Sequence, residues 1–143
     1  SHDPKEIPNF MEAIKEYEWL LGQNPGHRWY RYRLAVCLAI SGRAAMALPM
    51  LLALAHEHGA SANLSAKIGL CYLQVRKHQL AIEYFNEALM RDAFEPHALF
   101  HLARIKWLEG YQEQARDYLA RLQGIDSAAD MAKELGQLLG DYQ

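Results

Sequence analysis

A recurrence of 34 residues constrains this chain more than any single motif in it. Shifting the sequence by that offset aligns Ala13, Ala47, Ala81 and Ala115 in one column and Tyr17, Leu51, Phe85 and Leu119 in another. A small-residue column reads Ala35, Gly69, Ala103, preceded by Leu34, Ile68, Leu102; a turn column reads Gly42, Arg76, Gly110. The units end at Asn24, His58, Asp92 and Asp126. An alanine-rich chain produces one such column by chance, but not this many at one offset. The physical reading is a stack of paired helices. Small residues let the first helix of each pair approach the second, the alanine column lets the second approach in return, and the bulky column fills the space between layers. No pair buries its apolar face alone, so stability comes from stacking.

Composition agrees. The 143 residues contain no threonine and only two valines, Val36 and Val75, which is the vocabulary of helices rather than strands. Half the chain is hydrophobic and 22% is charged, so it is globular rather than disordered. A net charge of −2 argues against non-specific nucleic-acid binding, which requires many neutralised phosphates. The longest apolar run, Ala44 to Ala55, is too short for a bilayer, which needs about 20 residues. Ser1-His2 reads as the scar of a cleaved tag on an excised piece, so the absence of a leader leaves the compartment open, with the cytoplasm favoured.

The stretches "IGLCYLQVRKHQLAIEYFNEAL" (68–89) and "LARIKWLEGYQEQARDYL" (102–119) resemble the tetratricopeptide repeat, the first through Gly69, Tyr72, Ala81, Phe85 and Ala88, the second through Leu102, Ala103, Gly110 and Ala115. The resemblance implies an all-α fold: one α-solenoid domain over 1–143, with about eight helices in a right-handed superhelix of stacked helix-turn-helix repeats. Its expected parts are a half-repeat helix at 8–26, full repeats at 28–61, 62–95 and 96–129, and a capping helix at 127–143 opened by a Ser127-x-x-Asp130 capping box. Two departures stand out. Arg76 takes the place of a turn glycine, which predicts a looser or mildly strained turn. Pro49 predicts a late start or a kink in its helix.

In this family the first helices of successive repeats line a concave groove. "HRWYRYRL" (27–34) opens such a helix, so its side chains diverge by about 100° per residue and form no basic ribbon. Leu34 faces the core, Arg28 and Arg31 fall at the helix start and flank, and Trp29, Tyr32, Arg33 and Val36 fall on the groove face. The same face continues through Asn63, Lys67, Leu70 and Gln74, and then through His97, Phe100, His101, Arg104 and Trp107. That surface is cationic along its middle, at Arg33, Lys67 and His101, with aromatic platforms at both ends. It suits an extended or helical peptide carrying carboxylates; an ordinary solvated face is the plain alternative. The family's clamp for a chaperone's terminal carboxylate is not kept: its positions hold Tyr32, Val36, Lys67, His97 and His101. A second apolar face, Leu48 and Leu52, is a candidate surface for a partner or for self-association, unless another segment of the chain covers it. Burying those two leucines would contribute roughly 3–5 kcal/mol.

No catalytic constellation appears: there is no P-loop, no G-x-S-x-G and no dinucleotide fingerprint. Cys37 and Cys71 hold equivalent places in adjacent repeats, roughly 10 Å apart and beyond disulfide reach, and read as small buried hydrophobes. His97 and His101 could share a metal, but no third ligand has suitable spacing. The expected function is therefore a non-enzymatic protein-interaction module with no cofactor and no metal, binding a protein or peptide segment, an acidic one fitting best. The alternative is a small chaperone of the type III secretion translocator class acting as a homodimer. A third reading, an RNA-binding helical repeat, predicts salt-sensitive binding to single strands, and no such binding is expected.

Overall fold

The computed structural model describes residues 9–140, and among them every regular element is helical. The chain runs through α1 (Asn9–Gln23), α2 (Arg28–Ile40), α3 (Ala44–His58), α4 (Ala62–Gln74), α5 (His78–Arg91), α6 (Pro96–Leu108), α7 (Gln112–Gln123), a single 3₁₀ turn (Asp126–Ala128) and α8 (Ala129–Gly140). Ser1 and His2, read above as a tag scar, lie outside the described residues.

The helix ends explain why 34 residues is the period. Each first helix opens on a side-chain cap in one column: the Tyr30 N–H donates to His27 Nδ1 at 3.3 Å, that of Leu64 to Ser61 Oγ at 3.1 Å, and that of Ala98 to a Glu95 carboxylate oxygen at 2.7 Å. Each relieves one orphan donor of a helix start. The turns that close these helices are also alike. Gly42, Arg76 and Gly110 all take positive φ, at 84°, 64° and 92°. The following N–H groups of Arg43, Lys77 and Tyr111 donate to the carbonyls of Leu38, Tyr72 and Lys106 at 2.8–2.9 Å. These are the backbone bonds of a left-handed helix stop. Arg76 therefore does not loosen its turn. It adopts the glycine conformation in full, at a cost of about 1 kcal/mol for the Cβ it carries.

Pro49 likewise does not delay α3, which begins five residues earlier at Ala44. The carbonyl that loses its donor belongs to Ala45, and both Ala45 and Pro49 face solvent, where water replaces the missing bond. The expected capping box also differs. Ser127 lies inside the 3₁₀ turn, and α8 starts two residues later.

The described residues group into two compact units, one comprising those up to Ala60 with Leu70–Ala81, the other Ser61–Gly69 with those from Ile82 on. In the first, α2 packs against both α1 and α3. Ile14, Leu34, Ala35, Leu38, Ala39, Ala47, Leu51 and Leu54 are buried there. Cys37 and Cys71 are both buried, and neither is in a disulfide.

In the second unit α6 packs against α7, and α8 closes on both. Its core joins Leu99, Phe100, Ala103 and Trp107 of α6 to Ala115 and Leu122 of α7 and Ala132, Leu135 and Leu139 of α8. Gly69 shows why its column holds small residues. A Cβ there would come within 2.8 Å of the Phe85 ring, which is fully buried. The other two members of the column carry alanine, and their partners in the bulky column are the slimmer Leu51 and Leu119.

Candidate interaction faces

The α2 face is built around Arg33. Its guanidinium lies 5.7 Å from the centre of the Trp29 indole, and its Nε donates a long 3.5 Å hydrogen bond to the Tyr17 hydroxyl of α1. That phenol, more than any other group, holds the guanidinium above its ordinary pKa. The Tyr32 ring sits 5.9 Å from that of Trp29, tilted by 31°. Trp29 keeps 57% of its surface exposed, which is high for the largest apolar side chain. The other two arginines leave the face, as the helical spacing predicts. Arg28 is exposed, and Arg31 crosses to Glu57 of α3 at 2.7 Å, holding that carboxyl below the usual range. Burial pushes the Cys37 thiol up, and Arg33 opposes it.

The expected face on α4 divides by role. Asn63 is exposed and Lys67 half-buried in the second unit; Leu70 is half-buried and Gln74 exposed in the first. Gln74 is committed to the fold, its amide donating to the Ala39 carbonyl at 2.9 Å near the end of α2.

The α6 face belongs to the second unit and has different physics. His101 lies nearly parallel to the Phe85 ring, 5.3 Å away and 20° off, with the Phe100 ring edge-on at 5.3 Å. Its Nδ1 is buried and has no hydrogen-bond partner among the described residues. Burial drives the imidazole pKa from 6.5 to about 4, helped by the charges of Arg104, His97 and Lys67. His97 is also pushed to about 4, by burial and then by Lys67. Both rings are thus neutral at pH 7, which corrects the expectation of a cationic His101: removal from water disfavours the charged form, and the positive Arg104 and Lys67 nearby disfavour it further. Glu95, the buried cap of α6, is pushed up by burial and held down by the backbone N–H groups of Ala98 and His97 and by Lys67.

Three residues expected on the face offer little surface. Val36 is buried within α2 at 5% exposure, and Phe100 and Trp107 at 8% and 6%. For the latter two the reason is α8, which packs on α6 and takes both rings into the core. Arg104 stays exposed, its guanidinium 5.8 Å from the Phe100 ring centre. Leu48 and Leu52 are half-buried on α3. Among the described residues no three His, Cys, Asp or Glu side chains gather as a metal site, and no helix is long and apolar enough to cross a membrane. The cap column His27, Ser61, Glu95 was missed by sequence reasoning, although the 34-residue shift that revealed the other columns also aligns it.

A model of the tetratricopeptide repeat matches residues 9–64 and 67–132. The chain belongs to the tetratricopeptide repeat family. Its repeats are protein–protein interaction scaffolds, and members are generally non-catalytic. Among solved structures, the chain is similar to MamA (residue 41 to the end) from Desulfovibrio magneticus RS-1, with 19% identity and a TM-score of 0.69 over 91% of this chain and 70% of that one. A second MamA crystal structure gives 18% and 0.66 over 99% and 88%. The C-terminal part of a repeat-containing protein of this family from Cytophaga hutchinsonii gives 18% and 0.68 over 92% and 53%. At such identities the likeness is one of fold. No curated protein sequence matches the chain.

Proposed function

We propose that this tetratricopeptide repeat chain is a scaffold whose units each hold extended peptide segments bearing carboxylates against a first-helix face. The observation that carries this reading is the arrangement on α6. The exposed Arg104 lies with its guanidinium 5.8 Å from the Phe100 ring centre, and it and Lys67 are both near enough to His101 to bear on its charge, beside two neutral, partly buried imidazoles. Lys67 also feels the buried Glu95, which leaves the more exposed Arg104 as the stronger anchor. A surface of that kind attracts a carboxylate in a charge-assisted hydrogen bond beside rings already stripped of water. A neutral His97 carries one donor and one acceptor for the peptide's uncharged groups, whereas His101 Nδ1 is buried away from a ligand. Aromatic and arginine side chains are also those that dominate binding energies at interfaces.

The test uses a random dodecapeptide library displayed on phage and selected against the whole chain. Selected peptides should be enriched in Asp and Glu, and charge reversal at Arg104 or Lys67 should weaken them about tenfold or more while the helical circular dichroism is unchanged. Selected peptides with no acidic bias, bound equally by both variants, would sink the reading.

A further inference from the structure

We infer that the α2 face recognises a proline-rich segment in the polyproline II conformation that carries an acidic residue. This deepens the peptide-scaffold reading above and rests on it. Arg33 is the starting point. Its guanidinium is fixed between an indole and a phenol, and among the described residues it forms no ion pair with a carboxylate. Arg31, two residues earlier, does have such a partner in Glu57. The face therefore holds a positioned positive charge met only by neutral groups. A cationic ligand is disfavoured, because the positive charge of Arg33 beside Trp29 repels it. An anionic side chain fits.

The rings define the rest of the ligand. Trp29 is more than half exposed, and Tyr32 lies 5.9 Å from it. A polyproline II helix rises about 3.1 Å per residue, so residues two apart advance roughly 6 Å along the axis. Successive prolines on adjoining edges of that three-sided helix can thus rest on the two rings in turn. Polyproline II backbones leave their carbonyls unbonded, and the indole N–H of the exposed Trp29 is a suitable donor for them. Size matters as well. Two rings and one guanidinium are too little surface to offset the ordering of a flexible chain, whereas a proline-rich segment arrives already extended.

The experiment measures fluorescence anisotropy of labelled synthetic decapeptides with the whole chain. One peptide repeats Glu-Pro-Pro, a second repeats Glu-Gly-Gly at the same charge, and a third repeats Lys-Pro-Pro. The Glu-Pro-Pro peptide should bind, at least tenfold more tightly than the glycine peptide, and the lysine peptide should not bind measurably. Trp29→Ala, at an exposed site, should weaken the Glu-Pro-Pro peptide at least tenfold without loss of helicity. Arg33→Gln should remove the preference for Glu-Pro-Pro over a Ser-Pro-Pro control. Equal binding of the glycine and proline peptides would overturn the polyproline inference while leaving the acidic-peptide scaffold standing. Indifference to Trp29→Ala would move the site away from α2, and binding by none of the peptides would also overturn the inference. None of these three results touches the library test, which is read at Lys67 and Arg104.

Discussion

Tyr17 and Phe85 hold the same column two periods apart, and so do Arg33 and His101. In the first unit the column residue reaches the face residue through a hydroxyl, and the face residue is a charged guanidinium. In the second the column residue has no hydroxyl. Its ring lies flat against an imidazole that has lost its charge and left one nitrogen unpaired. The repeat therefore fixes which two side chains meet, and their chemistry decides whether the meeting point is a cation or a neutral ring. One phenolic oxygen and the degree of burial separate a polar, wettable contact from a dry one.

The strongest way to break this comparison is Phe85→Ala. Phe85 is fully buried between Gly69 and His101, so truncation leaves a cavity that neither neighbour fills. A loss of about 3–5 kcal/mol is expected in urea or guanidinium unfolding. The His101 resonance should also titrate nearer to its ordinary range, because water reaches the ring. A loss under about 1 kcal/mol would show that the ring does not support the α6 face.

Acid separates the two faces next. His97 and His101 titrate near 4 when folded and near 6.5 otherwise, so the unfolded chain takes up protons first as the pH drops. Their contribution is complete above about pH 6.5 and is lost as the pH falls toward 4. For the more enclosed His101 this is at most about 3 kcal/mol. Glu95 runs in the opposite sense: its raised folded pKa returns some stability over the acid range. Chemical unfolding measured from pH 7 to pH 4 should show a decline that His101→Gln reduces and Arg33→Gln leaves alone, since a guanidinium does not titrate there. An unchanged slope in His101→Gln would mean the ring is solvated when folded.

Gly69→Ala sharpens the comparison from the other side of Phe85. The new Cβ meets ring carbons at 2.8 Å in a packed core, and a cost of about 1–3 kcal/mol outweighs the better helix propensity of alanine. In a Phe85→Leu background the same change should cost at least 1 kcal/mol less, because alanine against leucine is the combination the column uses at Ala35 with Leu51 and at Ala103 with Leu119. Simple additivity of the two substitutions would show that the glycine has no steric role.

The architecture was legible because a period survives any uncertainty about single residues. Ala81, Phe85 and Gly69 were read correctly as packing positions from their columns alone. What the period could not carry was anything decided by neighbours distant in sequence. Phe100 and Trp107 are expected on the face that the family resemblance implies, yet α8 packs over α6, and no residue within α6 announces that cover. His101 was read as a cation because histidine in a basic column suggests one; its neutrality depends on Phe85, Phe100 and the positive charges around it. Of the two expectations for Arg76, a looser or a mildly strained turn, the structure shows the second: the backbone bonds of the turn hold an arginine in the left-handed conformation of its glycine counterparts.

The smallest expected effect concerns Tyr17→Phe, which gives the first unit the column residue of the second. Only the hydroxyl is lost, on a long hydrogen bond to a half-exposed guanidinium, so stability should fall by less than about 1 kcal/mol. Arg33 should nonetheless become freer, because its position above Trp29 would then depend on the cation–ring attraction alone. It should not become neutral: a guanidinium keeps its proton in any protein environment, and this face is far wetter than the one at His101. The informative readout is therefore binding rather than folding. If the phenol positions Arg33 for an acidic ligand, Tyr17→Phe weakens the Glu-Pro-Pro peptide severalfold at unchanged stability, by letting the charge wander from the rings that bind the prolines. If affinity is unchanged, the guanidinium is held by Trp29 alone, and the hydroxyl that distinguishes the two units has no part in recognition.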